Sequence, residues 1–112
     1  MEAFEVGQLE EQRQQAGRLY LEFLKVPALS AGLYTLRAGQ NDPQQPHTED
    51  EVYYVVGGKA SFIGGDKTYK VQAGTILFVE ANLEHHFFDI EEDLSVLVIF
   101  APVEYSLKKE QV

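Results

Sequence analysis

The chain has 112 residues, which suits one domain with a single core, and its formal net charge is −9. An acidic surface repels phosphate backbones and anionic lipid headgroups, so we expect no nucleic acid or membrane as a partner. There is no cysteine, which excludes disulfides and thiolate metal ligands. The chain also lacks a membrane-length apolar run and the basic-then-apolar start of a secretory signal, so we expect a cytoplasmic protein.

The predicted elements begin with one short helix and continue as strands. Residues 8–16 are good helix formers, and Gly17 is a suitable C-terminal stop. Stretches rich in β-branched and aromatic residues then alternate with turn residues, and Gly57-Gly58 is one of the predicted breaks. The predicted strands are residues 18–26, 29–37, 51–56, 59–63, 67–71, 75–79, 85–89 and 94–100.

Many short strands with glycine-rich turns predict an all-β sandwich or barrel. The nearly continuous apolar run at 94–100 is typical of a strand that is buried on both faces. The acidic residues 89–93 between the last two predicted strands are expected to form a loop. From about Ser106 onward the sequence predicts a polar tail.

Residues around position 50 could bind a metal ion. His47 and Glu51 are four apart, and the Val-Tyr-Tyr-Val-Val that follows favours a strand, in which positions two and four apart share a face. Gln45 would then point inward with them. Glu49 has the same parity, but a third buried carboxylate is costly without a partner, so we expect a turn that leaves it in solvent. The alternative is a surface histidine beside an acidic turn, without any metal.

The spacing of these residues resembles the first motif of the cupin superfamily, whose members are small β-barrels built on two motifs. Gly39, five residues, Gln45-x-His47, three residues, Glu51, six residues and Gly58 follow that motif, except that Gln45 stands where the family has its first histidine.

A second segment keeps the spacing of the other cupin motif. Gly74, five residues, Glu80-Ala-Asn82, two residues, His85, three residues and Asp89 match it throughout. Glu80 and Asn82 replace the family's Pro and Gly. Asn tolerates a positive φ better than other non-glycine residues, so we expect the turn to survive.

The resemblance implies an all-β fold: a single-domain cupin, that is, a double-stranded β-helix or jelly-roll barrel, over about residues 18–101, with the short N-terminal helix outside it. It implies that His47, Glu51 and His85 are metal ligands. Gln45 would be a weak fourth ligand or would hold a metal-bound water. Two imidazoles and one carboxylate suit a divalent ion, and Fe, Mn, Ni, Zn or Co would all fit.

Three aromatic side chains, Tyr53, Phe62 and Phe87, are candidates to line the cavity above the metal, although aromatic residues in a barrel are more often core packing. His86 follows His85 in a strand, so its ring should face the opposite side.

The first functional hypothesis is a metal-dependent oxygenase, isomerase or lyase that acts on a small polar molecule. The second is a non-catalytic module that binds or senses a small ligand with the metal as an anchor. The third is a barrel whose site is idle. The resemblance also implies a homodimer.

Overall fold

A computed structural model describes residues 1–107, in which one helix precedes six strands. None of the helical structure in this range is long and apolar enough to cross a membrane. The elements are α1 (Val6–Ala16), β1 (Tyr20–Val26), β2 (Leu29–Leu36), β3 (Asp50–Gly64), β4 (Lys67–Gln72), β5 (Ile76–Val79) and β6 (His85–Ala101).

The helix ends where the sequence predicts, although it begins two residues earlier. Gly17 has a left-handed φ of 66°, and its N–H donates to the Gln14 carbonyl, while the Arg18 N–H donates to the Arg13 carbonyl. This paired C-terminal cap needs a residue that adopts positive φ without strain, which glycine does. Leu9 is the buried residue of the helix, which packs beside β1 and β2.

The six strands form one antiparallel sheet in the order β1-β2-β6-β3-β4, with β5 paired to β3. β3 and β6 are the long central strands. The first part of β3 pairs with the end of β6 and with β5, and the second part pairs with the start of β6 and with β4. Because the two long strands change partners along their length, the sheet bends around one core.

Two predicted breaks do not occur. The segments 51–56 and 59–63 belong to the continuous strand β3, and the segments 85–89 and 94–100 belong to β6, so the loop expected at 89–93 is wrong. Shifts in register between Val55 and Ser61 accommodate the bend without ending the ladder. Gly58 is needed there: its φ is 96°, and a Cβ would lie 2.3 Å from the Asp93 carbonyl oxygen.

The core lies on the concave side of this sheet. Leu94, Val96, Val98 and Phe100 point into it, whereas the residues between them at 95, 97 and 99 are only half-buried. The strand predicted to be buried on both faces is therefore fully buried on one face and half-buried on the other. The main core consists of Tyr34, Leu36, Tyr53, Val55, Ala60, Phe62, Val71, Leu77, Val79, Phe87, Ile90, Leu94, Val96, Val98 and Phe100.

After β6 the chain turns back over one end of the barrel. The Val103 N–H donates to the Pro27 carbonyl, and the Ser106 N–H donates to the Val103 carbonyl. We call residues 102–107 the C-terminal turn. Ser106 and Leu107 are exposed, as a polar tail would be, and the rest of the predicted tail lies outside the described residues.

Candidate metal centre

Three side chains from separate parts of the chain converge inside the barrel. His47 lies in the segment before β3, Glu51 is in β3, and His85 is the first residue of β6. One ligand atom from each lies within 4.8 Å of the others, and all three residues are buried. Glu51 Oε1 is 2.7 Å from His85 Nε2 and 3.7 Å from His47 Nδ1. The carboxylate therefore lies between the two imidazoles.

A backbone hydrogen bond joins the two segments that carry the histidines. The Asn82 N–H donates to the His47 carbonyl over 2.7 Å. Asn82 has a φ of 66°, which confirms that asparagine adopts the left-handed conformation expected of this turn. The turn before β6 thus fixes the backbone of His47 as well as the start of the strand that carries His85.

His85 is oriented from within the barrel. Its Nδ1–H donates to the Leu83 carbonyl over 2.7 Å, and its Nε2 faces Glu51 and, at 2.9 Å, the hydroxyl oxygen of Tyr53. The Tyr53 hydroxyl donates a hydrogen bond to Gln44 Oε1 over 2.6 Å. A backbone carbonyl that engages one ring nitrogen leaves the other free for a metal ion.

The charge state of His85 follows from the same contacts. Burial alone lowers the pKa of the His85 imidazole, but the Glu51 carboxylate and the Leu83 carbonyl outweigh it, so the pKa is raised. Positive charge at this position is therefore stabilised. A bound cation would supply positive charge at the same place and would displace the proton from His85.

His47 is oriented by the C-terminal turn. Its Nε2 lies 2.9 Å from Glu104 Oε2, and its ring stacks on Tyr105 with the centroids 5.2 Å apart and the planes at 21°. On another side the ring contacts Phe100, at a centroid distance of 4.6 Å. Within the described part of the chain, the buried Nδ1 has no hydrogen-bond partner.

The burial of the Glu51 carboxylate favours a cation at this site. Its side chain is 1% exposed, and Oε1 lies 2.7 Å from His85 Nε2 and 3.7 Å from His47 Nδ1. A buried carboxylate costs several kcal/mol unless a positive charge compensates it. Two imidazole nitrogens and a carboxylate around one point match the donors of mononuclear divalent metal sites. The residues present therefore fit such an ion.

A cavity of about 270 Å³ opens beside His47. The Tyr20 hydroxyl is buried at its wall and has no hydrogen-bond partner in the part of the chain that the structure describes. Burial, reinforced by the Glu104 carboxylate, raises the pKa of Tyr20, so the hydroxyl keeps its proton. The lining residues are Leu19, Tyr20, Tyr34, Pro43, Gln44, Gln45, His47, Val98, Phe100, Glu104 and Tyr105.

The absence of a side chain at Gly32 makes room for Tyr20 in this wall. A Cβ at position 32 would lie 2.2 Å from the Tyr20 ring and 2.3 Å from its hydroxyl oxygen. The ring therefore occupies the space that the side chain of any other amino acid at position 32 would fill. The cavity edge is completed by Tyr34, whose hydroxyl donates to Asp42 over 2.5 Å.

Gln45, predicted to face the metal, is exposed at the edge of this cavity. The amide connected to the cluster is that of Gln44, through Tyr53. Asp42 accepts a hydrogen bond from the Gln44 side-chain amide over 2.7 Å and so orients it. The alternation that placed Gln45 inward applies to strands, and residues 41–47 are not in one.

The predicted cavity-lining aromatics mainly pack beside His85. The rings of Tyr53 and Phe62 each lie 5.9 Å from the His85 ring, and Phe87 packs on both of them. The cavity beside His47 is lined by other residues, and Phe87 borders a separate surface cavity. His86 is exposed, as the alternation of a strand predicts.

Glu49 corrects another expectation. The chain does bend at residues 48–49, but Glu49 is 1% exposed and not solvated. Its carboxylate accepts hydrogen bonds from the backbone N–H groups of Tyr105 and Leu107 and from the Thr48 hydroxyl. Burial of Glu49 was expected to be too costly without hydrogen-bond partners, and the C-terminal turn supplies those partners. No local pattern in the sequence indicates them.

Comparison with known proteins agrees with this architecture. A cupin domain family model matches residues 32–100, and the chain therefore belongs to the cupin family. The protein SCO3923 of Streptomyces coelicolor is 45% identical over 104 residues, which cover 93% of this chain and 99% of that protein.

Two solved structures share the fold at low identity. The structure of TT1209 from Thermus thermophilus has a TM-score of 0.72 and 22% identity, covering 92% of this chain and 99% of that chain. An RmlC-like cupin with a double-stranded β-helix fold from Methanocaldococcus jannaschii has a TM-score of 0.67 and 16% identity, covering 74% and 78%. The fold is thus the all-β cupin fold that the two motifs imply.

Proposed function

We propose that this cupin holds a divalent metal ion with His47, Glu51 and His85 and receives a small polar molecule in the adjoining cavity. The observation that carries the proposal is the buried Glu51 carboxylate, which lies between two imidazole nitrogens in a cluster whose ligand atoms are all within 4.8 Å of one another. The ion is one of Fe, Mn, Ni, Zn or Co, since this donor set accommodates each of them.

The cavity supports a ligand with oxygen atoms. Its wall is mostly aromatic and aliphatic, and the Tyr20 hydroxyl offers a hydrogen bond that no described residue takes up. A tyrosine is neutral at physiological pH, and burial raises the pKa of Tyr20 further, so the hydroxyl can donate to a ligand carbonyl or carboxylate. At about 270 Å³ the cavity suits a molecule near the lower end of the usual size range for small ligands.

The reaction class that we propose is that of an oxygenase, isomerase or lyase. A divalent ion in this centre would polarise a bound carbonyl or enolate oxygen. Glu51 would offset part of the positive charge, and the aromatic rings of Phe100 and Tyr105 beside His47 would limit access of water. The ligand would be oriented between the metal centre and Tyr20.

The second candidate is a binding or sensing module without turnover. The observation that favours it is Gln45, which replaces the first histidine of the motif and is exposed, so the chain supplies one fewer imidazole than the family pattern. Oxygen consumption or product formation with candidate hydroxy or keto acids would identify an enzyme. A spectral change of the Co²⁺-loaded protein on adding the same acids, without turnover, would identify a binder.

Elemental analysis tests the metal proposal directly. Protein purified without a chelator or an affinity metal is expected to carry close to one equivalent of a divalent metal. Glu51→Ala and His85→Ala should each lose it, because each removes a donor atom from the cluster. His86→Ala is the matched control, since it removes an exposed imidazole next to His85. Full occupancy in both cluster variants would contradict the proposal.

The homodimer and the cytoplasmic location stay predictions. The outer face of the sheet carries exposed apolar side chains on neighbouring strands, including Tyr54, Ile76 and Phe78. A second copy of the chain is the partner that we predict for this face, because exposed apolar patches commonly mark interfaces. Light scattering coupled to size-exclusion chromatography measures the assembly directly.

A further inference from the structure

We propose that Glu104 is a positioning residue of the metal centre, which holds the outer nitrogen of His47 so that the inner nitrogen binds the metal. This inference rests on the metal binding proposed above. It assigns a role to the C-terminal turn, which lies outside both sequence motifs.

The geometry gives the two nitrogens of His47 different tasks. Glu104 Oε2 lies 2.9 Å from Nε2, whereas Nδ1 faces Glu51 Oε1 at 3.7 Å. In a neutral imidazole, one nitrogen carries the proton and the other a lone pair. If Nε2–H donates to Glu104, the lone pair is on Nδ1. That nitrogen is buried and lacks a hydrogen-bond partner among residues 1–107.

Glu104 acts through His47 and not as a ligand. The set of donor atoms that lie within 4.8 Å of one another contains His47, Glu51 and His85, without Glu104. A carboxylate on the far side of a ligating imidazole fixes the tautomer and the ring orientation and makes the imidazole a better donor. The Leu83 carbonyl does the same for His85, so each histidine has one oxygen acceptor behind it.

The turn that carries Glu104 is held by two buried polar side chains. The Glu104 N–H donates to Ser30 Oγ over 3.0 Å, and Ser30 is fully buried. Glu49 accepts from the N–H groups of Tyr105 and Leu107 on the other side. These contacts place the Glu104 carboxylate and the Tyr105 ring against His47 together. A buried polar network of this kind rigidifies the segment that it holds.

The experiment measures Zn²⁺ affinity by competition with a chromophoric chelator. Glu104→Ala should weaken binding by about 10- to 100-fold, as the loss of such a partner does at other metal sites. Glu104→Gln should lie between the wild type and Glu104→Ala, because its amide oxygen still accepts from Nε2–H without the charge. Glu11→Ala, which removes an exposed carboxylate of helix α1, should leave the affinity unchanged.

Proton NMR of the metal-free protein supplies a second readout. The wild type should show a slowly exchanging His47 Nε2–H resonance shifted downfield by the carboxylate. That resonance should move upfield in Glu104→Gln and be lost to exchange in Glu104→Ala. Thermal unfolding of both variants shows whether the fold is retained, and the near-isosteric Gln variant keeps the test valid if the Ala variant does not fold.

The two proposals fail in different ways. Unchanged Zn²⁺ affinity in both Glu104 variants, with a wild type that binds one equivalent, would overturn the role of Glu104 and leave the metal centre intact. A wild type that binds no Zn²⁺ would overturn the metal centre itself. A His47 Nε2–H resonance that is the same in all three proteins would overturn the contact on which this inference depends.

Discussion

The two histidines of the cluster are held in different ways. His85 lies at the start of a long strand, with the Leu83 carbonyl behind it and the rings of Tyr53 and Phe62 beside it. His47 lies in the irregular segment before β3, and Glu104 and Tyr105 hold it from the C-terminal turn. One histidine is therefore part of the core, and the other depends on a segment that packs onto the core.

This difference separates stability from metal affinity. Contacts around His85 serve the barrel whether or not an ion is present, because its neighbours belong to the main core. Contacts around His47 mainly orient one ring. We expect changes on the His85 side to alter both properties and changes on the His47 side to alter affinity more than stability.

The largest effect is expected from truncating the two histidines. His85→Ala should lower the free energy of unfolding of the metal-free protein by about 2–4 kcal/mol, because it leaves a cavity among packed aromatic rings. His47→Ala should cost about 1 kcal/mol, since its ring borders an existing cavity at the barrel end. Both should abolish stoichiometric metal. Urea unfolding in the presence of EDTA measures the stability difference.

The control for this comparison is His86→Ala, which should change stability by less than about 0.5 kcal/mol because the side chain is exposed. Equal losses of stability for His47→Ala and His85→Ala would show that the two histidines are held alike.

An intermediate effect is expected at Glu49. Glu49→Ala leaves the N–H groups of Tyr105 and Leu107 without their acceptor, which should cost about 1–3 kcal/mol and increase amide exchange in the C-terminal turn. Zn²⁺ affinity should fall toward that of Glu104→Ala, because the turn no longer holds His47. Hydrogen exchange combined with the competition titration measures both.

Glu84→Ala is the control for the loss of one negative charge, because it removes an exposed carboxylate. Fast exchange in the turn together with wild-type affinity would show that the turn does not position His47.

The smallest effect is expected at Gln45. Because its side chain is exposed at the edge of the cavity, Gln45→His should change Zn²⁺ affinity by less than about twofold, equivalent to about 0.4 kcal/mol. Isothermal titration calorimetry is sensitive enough to separate this from tighter binding. An affinity gain of about tenfold or more would instead place position 45 among the ligands, as the motif implies, and would mean that the irregular segment 41–47 rearranges around the ion.

The strands of the barrel could be predicted from short-range patterns, whereas the convergence of three side chains could be predicted only because the two motifs resemble those of the cupin family. Turn residues and alternation define strands, and the two motifs place His47, Glu51 and His85 in a known relation. The bends of β3 and β6 were less predictable, because a bulge keeps a strand continuous through residues such as Gly58 that usually end one.

The supports of the cluster could not be predicted in the same way. Glu49 belongs to an acidic stretch that looks solvated, and Glu104 is a single acidic residue in the segment after the last strand. Each acquires its partner only when the chain after β6 folds back over the barrel. Gln44 and Gln45 are identical neighbours in an irregular segment, and the sequence does not indicate which of the two side chains reaches Tyr53. Long-range contacts and loop conformation decide which of these polar side chains point inward, and neither produces a periodic pattern in the sequence.

Gly32 determines the shape of the cavity beside His47. The Tyr20 ring fills the notch that the missing side chain leaves in β2. A methyl group there would displace the ring and change the shape of the cavity beside His47. One backbone position in β2 therefore controls the volume of this cavity, and a larger residue there would change the size of the molecule that fits.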